Sequence, residues 1–204
     1  MRVLIVPPND LLRHPLPNRI YHIARRLANK YKLYLLSYTN HPLAIGKKQE
    51  INAVEIPVSN VIRVGDLGLY YMVNTIQIYN AIKWAIEKED IDIIIHCNIL
   101  PSLMASKLAR RCKIPNIYDY VDHYPQSASA YYSRGKRIVE KSVWMFVQET
   151  LLSSDVVVTP SYSFRKVVEH IANIKRTCVI PNGVDADVFK PMDKDSVRKQ
   201  IGLD

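Results

Sequence analysis

Glycine is scarce in this chain of 204 residues, which contains only six. None of the six belongs to a G-x-G-x-x-G or G-x-x-x-x-G-K-[ST] pattern, which excludes the dinucleotide-binding fingerprint and the P-loop. Cysteine is rarer still, and Cys97, Cys112 and Cys178 are too few and too scattered for a disulfide framework or a paired-cysteine metal site. Because all three lie among apolar residues, we expect buried, reduced thiols.

Long hydrophobic runs are also missing. The first eight residues, MRVLIVPP, hold only a short apolar run without a small-residue cleavage site, so we expect no signal peptide and a cytoplasmic protein. Residues 67–86 are the most apolar stretch, but Asn74, Gln77, Asn80 and Lys83 interrupt it. This pattern predicts one buried helix rather than a membrane span.

Acidic residues are outnumbered, with 19 against 28 basic ones, which gives a formal net charge of +9. Such a charge favours anionic partners: nucleic acid, an anionic membrane surface or phosphorylated metabolites. No nucleic-acid recognition motif accompanies it, so nucleic acid is the least expected partner. A basic cluster with aromatic neighbours is open to two interpretations, a solvated helix face or peripheral attachment at the inner face of a membrane; it comprises Arg134, Lys136, Arg137 and Lys141.

Short apolar segments alternate with amphipathic segments along the whole chain. About seven strands are predicted, at residues 3–6, 33–38, 54–58, 91–97, 114–121, 155–159 and 177–180. Helices are expected between most of them, with a long loop at residues 122–133 and a last short helix ending near Gly202. Seven buried strands separated by helices predict the α/β class: a doubly wound parallel sheet with helices on both faces.

Ligands of such sheets bind at the carboxyl ends of the strands. The polar candidates at these ends are Asn9, Asp10, His96, Asn98, Asp122, His123, Ser161, Tyr162 and Asn182. Arg13 and Arg19 follow the first strand and fit either a bound phosphate or carboxylate, or a solvated basic loop. His96 equally fits a structural role in the core. The histidines show no metal-ligand spacing, so we expect no metal.

Residues 179–190 carry the most specific motif, VIPNGVDADVFK, which precedes a Pro, a short helix and I-G-L. This stretch resembles the hinge of retaining glycosyltransferases of the GT-B fold, glycosyltransferase family 4 (group 1). Upstream, IDIIIH, IPNIYDYVDH and SDVVVTPS are similar to the ends of successive strands in that family. The resemblance implies a Rossmann-like amino-terminal domain at residues 1–181. It implies that residues 182–204 are a hinge and the start of the connection to a missing sugar-nucleotide domain. Asn182 and Gly183 are expected to form the hinge turn, since glycine tolerates positive φ.

The resemblance also implies a function. The full-length enzyme would move a sugar from a nucleotide-diphosphate sugar to an acceptor hydroxyl with retention, as a hexosyltransferase. The present half would bind the acceptor, a sugar or a lipid-linked molecule, and no cofactor of its own. His123, or else Asp122, matches the histidine that contacts the transferred sugar. No two Glu residues are separated by eight positions, as the family's donor site requires, so this half alone is expected to be inactive. The alternative is a stand-alone binding module or a partner subunit of a split enzyme.

Overall fold

Seven parallel strands form the centre of this computed structural model, which describes residues 1–132, 134–172, 174, 176–184, 186 and 189–203. All seven lie where the sequence predicts them, most with slightly narrower bounds. They are β1 (Arg2–Val6), β2 (Lys32–Ser37), β3 (Val54–Pro57), β4 (Ile93–His96), β5 (Asn116–Asp119), β6 (Val156–Thr159) and β7 (Thr177–Val179).

Helices connect most of these strands. They are α1 (Arg19–Leu27), α2 (Leu67–Val73), α3 (Thr75–Glu89), α4 (Leu100–Cys112), α5 (Tyr124–Ala130), α6 (Lys136–Ser153), α7 (Tyr162–Ala172) and α8 (Lys194–Gln200). Among the described residues, none of these helices is long and apolar enough to cross a membrane.

The strand order is β3-β2-β1-β4-β5-β6-β7, and every neighbouring pair is parallel. The chain therefore moves outward from β1 to β3 in one direction, and from β4 to β7 in the other. This reversal places a topological switch point between β1 and β4, where loops diverge and leave a crevice. The predicted doubly wound sheet is confirmed.

Strand β1 shows why the sheet needs cover on both faces. Its side chains alternate, so that Val3 and Ile5 pack with α1 while Leu4 and Val6 pack in a cluster with α2, α3 and α4. A third cluster joins β5 and β6 to α6 and α7. The central strands β1 and β2 are thus almost continuously apolar, as buried parallel strands are.

The expectation of a single helix at residues 67–86 is wrong, because the chain breaks between α2 and α3 at Asn74. The Asn74 side chain is fully buried and donates to the carbonyl oxygens of Ile62 and Tyr70, while its Oδ1 accepts from the Ile62 amide at 2.7 Å. An asparagine that bonds to backbone in this way competes with the helix. It ties the start of α3 to the loop after β3.

The expectation of a loop through residues 122–133 is also wrong, since α5 occupies much of it. Pro125 lies in the first turn, where its missing N–H costs nothing, and Ser127 Oγ donates to Asp122 at 2.6 Å. The expectation of three buried thiols holds only for Cys97. Cys112 and Cys178 are exposed, because Cys112 is the last residue of α4 and Cys178 lies on β7, an edge strand of the sheet.

The helix boundaries follow local chemistry. Ser161 accepts from the Phe164 amide at 3.1 Å and caps the start of α7. Gly202 ends α8 with φ of +69°, and the Leu203 amide reaches back to the Arg198 carbonyl at 2.8 Å. Gly183, in contrast, does not take positive φ, and residues 181–184 form no turn, so that expectation is wrong. The segment is held by a side chain instead, as described below.

Candidate functional site

The loops after β1 and β4 are tied together at the switch point. Asn98 takes a left-handed backbone with φ of 97°, which lets its Nδ2 donate to the Pro8 carbonyl at 3.0 Å. The Tyr118 hydroxyl donates to the Asn98 carbonyl at 2.9 Å. Asn98 therefore lies at the predicted edge, where its side-chain amide holds the crevice together.

A buried tyrosine and a buried histidine, which sequence reasoning missed, support the same loop. The Tyr71 hydroxyl donates to the Pro8 carbonyl and lies 2.9 Å from Nε2 of His41. His41 Nδ1 accepts from the Leu43 amide at 3.2 Å, which leaves the proton on Nε2. Burial lowers the pKa of His41 to about 4, so the ring stays neutral at pH 7.

Asp10 and Arg13 form an ion network at the ends of β2 and β3. Arg13 Nη1 lies 2.6 Å from Glu55 Oε1 and 3.3 Å from Asp10 Oδ2, and the Ser37 hydroxyl donates to Asp10 at 2.8 Å. Burial alone would raise the pKa of Glu55, but hydrogen bonds from Arg13, Lys48 and Ser37 outweigh it and lower that pKa to about 2. Asp10 itself is buried. Because Asp10 and Arg13 bond to each other and to residues of β2 and β3, they hold the loop after β1 in place.

Arg19 connects three elements at the carboxyl edge. Its Nε donates to Asp119 Oδ2 at 3.0 Å, and its Nη1 donates to the Pro181 carbonyl at 3.0 Å and to Asn182 Oδ1 at 3.1 Å. Its Nη2 is buried and has no hydrogen-bond partner among the described residues. Sequence reasoning missed Asp119, although an aspartate inside an apolar strand segment is a signal that could have found it. Burial raises the pKa of Asp119, and the neighbouring Arg19 opposes that rise.

His96 lies below the edge rather than in the crevice. Its side chain is fully buried, stacks on Tyr118 and has Nε2 2.9 Å from Asn116 Oδ1. Burial lowers its pKa to about 4. Of the two interpretations of His96, this placement favours the structural one.

His123 and Asp122 lie at the start of α5. The His123 ring is half-buried, with Nδ1 3.5 Å from the Tyr120 hydroxyl and its centroid 6.0 Å from that of Trp144. The ring borders an open cavity of about 460 Å³, which Arg137 and Lys141 also line. Asp122 is exposed, but its carboxylate already accepts from the His123 amide and Ser127. His123 is therefore the freer of the two to contact a ligand.

The remaining candidates are distributed along the same edge. Asn9 Oδ1 accepts weakly from Asn18 at 3.4 Å, Ser161 is engaged as the cap of α7, and the Tyr162 side chain is 73% exposed. Asn182 and Gly183 line a cavity of about 530 Å³ between α1 and residues 180–184. Among the described residues, no three His, Cys, Asp or Glu side chains come together as a metal site would require.

Comparisons with known proteins agree with this architecture. The family model for Glycosyltransferase Family 4 matches residues 17–188. No curated protein sequence matches the chain significantly. Among solved structures, a sucrose-phosphate synthase from Thermosynechococcus elongatus superposes with a TM-score of 0.73 at 12% identity, over 100% of this chain and 52% of that one.

Two further structures share the fold at similar identity. Os79 from O. sativa, solved in complex with UDP, gives a TM-score of 0.60 at 14% identity, over 98% of this chain and 57% of that one. UDP-GlcNAc 2-epimerase from Methanocaldococcus jannaschii gives 0.56 at 12%, over 89% and 46%. The chain thus spans about half the length of these solved chains. At such identities the likeness establishes the fold, the Rossmann-like domain of GT-B proteins.

Proposed function

The chain belongs to Glycosyltransferase Family 4, and from this premise we propose that it is the acceptor-binding half of a hexosyltransferase. The whole enzyme would move a sugar from a nucleotide-diphosphate sugar to an acceptor hydroxyl with retained anomeric configuration. One observation carries the proposal: Arg19 joins the ends of β5 and β7 at the carboxyl edge, where a doubly wound sheet binds its ligand.

The crevice suits the positioning of a neutral sugar hydroxyl. His123 presents an imidazole with one donor and one acceptor beside an open cavity, and Asn182 adds an amide group along the edge. When a diphosphate leaves, catalysis consists mostly of orientation and electrostatic stabilisation. We therefore assign to this half the orientation of the acceptor and contacts to the transferred sugar.

The donor nucleotide is assigned to a second domain. The first strand–helix loop of this chain contains no glycine, and its two cations at Arg13 and Arg19 are already paired with carboxylates. Residues 182–204 would then serve as the hinge and the start of the connection between the two halves. This assignment fits the coverage of only about half of each solved relative.

Transfer assays test the proposal. Residues 1–204 and the natural reading frame extended past Asp204 are each incubated with UDP- and GDP-hexoses and with sugar or lipid-linked acceptors. We expect transfer by the extended protein, none by residues 1–204 alone, and a product whose anomeric proton coupling matches that of the donor. A stop codon directly after Asp204, with transfer restored only by a separate chain, would favour the split-subunit alternative. Inverted product would overturn retention.

A lipid-linked acceptor is favoured by the surface at the start of α6. Tyr131, Ile138 and Met145 are 84%, 73% and 60% exposed, beside the basic cluster of Arg134, Lys136, Arg137 and Lys141. Ile138, Lys141 and Met145 share one face of α6 by their spacing. Each cation near an anionic bilayer contributes about 1 kcal/mol. We expect co-sedimentation with vesicles that contain phosphatidylglycerol; equal binding to neutral vesicles would refute this attachment.

A further inference from the structure

A groove of about 580 Å³ runs along the outer edge of the sheet, away from the crevice described above. One wall is the end of β3 with Ile56 and Pro57, and the other is α3 with Gln77, Asn80 and Trp84. β3 is the outermost strand, separated from β1 by β2. The groove therefore lies on the acceptor domain but outside the switch point.

The lining of the groove is free of charge. None of the nine residues around it is charged, although 23% of the chain is Asp, Glu, Lys or Arg. Its polar groups are instead amides and a hydroxyl, from Gln77, Asn60, Asn80 and Ser59. Neutral groups that both donate and accept match ligands made of hydroxyls, and they offer no attraction to phosphate or carboxylate.

Two side chains of the groove lack the protein contacts that such groups usually have. The Trp84 side chain is 48% exposed, which is unusual for so large an aromatic group. The Oε1 atom of Gln77 is shielded from water and has no hydrogen-bond partner among the described residues. An acceptor without a donor is costly. Because Gln77 as a whole is only partly buried and lines the groove, a rotation of its amide would offer this oxygen to a ligand hydroxyl.

We propose that this groove is a second binding site for a neutral saccharide, an inference that rests on the proposed sugar-transfer function. The indole of Trp84 would pack on the C–H face of a sugar ring, and the amides of Gln77 and Asn80 would bond to its hydroxyls. A site at this edge would hold a distant part of a saccharide acceptor or product while its reacting end occupies the crevice.

The uncharged lining favours a saccharide over the other occupants of such a groove. The formal charge of +9 would repel a second copy of this chain at long range, and a charged peptide would find no ion partner in the groove. The exposed amides would lose their water contacts against an apolar helix. Self-association remains an outcome that the experiment must detect.

The two tryptophans, Trp84 and Trp144, make the test direct, since one lies in the groove and the other beside His123. Indole N–H signals of ¹⁵N-labelled protein are followed by NMR during titration with maltotriose, cellotriose, chitotriose and, as a charged probe, trigalacturonic acid. The Trp144→Phe variant assigns the signals. We expect at least one neutral trisaccharide to shift the Trp84 signal saturably, and the charged probe to bind at least tenfold more weakly.

Variants separate the groove from the crevice. In isothermal titration calorimetry, Trp84→Ala and Gln77→Ala should each weaken binding of the neutral trisaccharide at least tenfold, while Trp144→Phe should bind it unchanged; circular dichroism checks that each variant is folded. If every neutral probe leaves the Trp84 signal in place, or if that signal moves with protein concentration instead, the inference is wrong. Shifts confined to Trp144 would overturn the groove site yet support the proposed function. If a neutral trisaccharide binds in the groove but the extended protein transfers no sugar, the groove site would be supported and the proposed function would be wrong.

Discussion

Nε of Arg19 lies 3.0 Å from Oδ2 of Asp119, and this pair joins the first residue of α1 to the last residue of β5. The Asp119 side chain is only 4% exposed and that of Arg19 only 14%. Because the same guanidinium donates to Pro181 and Asn182, the path of the residues after β7 depends on an ion pair formed more than sixty residues earlier. Substitutions here should therefore affect both stability and the mobility of residues 180–184.

Removing one partner of this pair should be strongly destabilising. Arg19→Ala leaves the Asp119 carboxylate buried without its cation, which costs about 3 kcal/mol of unfolding free energy. Urea unfolding measures the loss, and hydrogen exchange should be faster at residues 180–184. Arg2→Ala is the matched control, because Arg2 pairs with the exposed Asp90 and such solvent-screened surface pairs contribute little to stability. Equal effects of the two variants would contradict the assigned role.

Acid should destabilise the domain through its buried neutral histidines. The pKa of His96 is lowered to about 4 by burial, so between about pH 6.5 and pH 4 the unfolded chain binds a proton that the folded protein does not. The contribution of neutral His96 to the free energy of unfolding is therefore fully present above pH 6.5. It is lost as the pH falls toward 4, which lowers the free energy of unfolding by about 3 kcal/mol.

The His96→Gln variant isolates this effect. It keeps a side-chain amide to bond with Asn116 but cannot titrate, so it should lose about 3 kcal/mol less than the wild type between pH 7 and pH 4 in urea unfolding. His170→Gln, at an exposed position on α7, should follow the wild-type pH dependence. A His96→Gln variant as acid-sensitive as the wild type would show that His96 does not carry the dependence.

His123 is the residue whose loss should affect transfer most selectively. In the extended protein, His123→Ala should lower the transfer rate at least tenfold while the affinity for the donor nucleotide, measured by calorimetry, stays nearly unchanged, since the nucleotide is assigned to the other half. His170→Ala serves as the control, because this histidine is exposed and lies on a helix away from the crevice. Unchanged turnover would remove His123 from the site.

Replacement of Gly46 by alanine, the smallest side chain with a Cβ, should destabilise the protein. A Cβ at this position would meet the Arg13 carbonyl oxygen at 3.0 Å and Pro15 Cα at 3.1 Å, both backbone atoms that cannot swing aside. Gly46→Ala should therefore cost about 1–3 kcal/mol of unfolding free energy by overpacking. Gly65→Ala, which meets nothing within 4 Å, should change it by about 0.5 kcal/mol or less. Similar urea midpoints for the two variants would argue against the close approach.

Local patterns predicted the strands well, most clearly β1 and β2, which are buried on both faces. An apolar run such as that of β1 has few other stable arrangements, so its location follows from composition alone. The missed elements depended on particular polar residues and a proline rather than on apolar patterns. Asn74 breaks a helix only because the backbone of Ile62 is within reach, and α5 forms around Asp122 and Pro125 in a stretch that reads as a loop.

The candidate site was predicted as a set of positions but not as a set of contacts. Asn98, His123 and Asn182 do lie at strand ends, as the alternation of elements indicated. Arg13 and Arg19 follow the first strand as well, but the sequence left open whether they face a ligand. The structure pairs them with Glu55 and Asp119, neither of which was among the candidates.

The sequence by itself determined the class of fold, the approximate bounds of all seven strands and the edge at which polar residues collect, because hydrophobic burial acts on local apolar patterns. Only the tertiary structure decided which of these polar groups are free. Hydrogen bonds and ion pairs are short-ranged and directional, so they depend on strands from distant parts of the chain lying side by side. For this reason Arg19 and Asp119, one hundred residues apart, form a pair only in the folded protein. Likewise, only the folded protein shows that Oε1 of Gln77, beside Trp84, has no hydrogen-bond partner among the described residues.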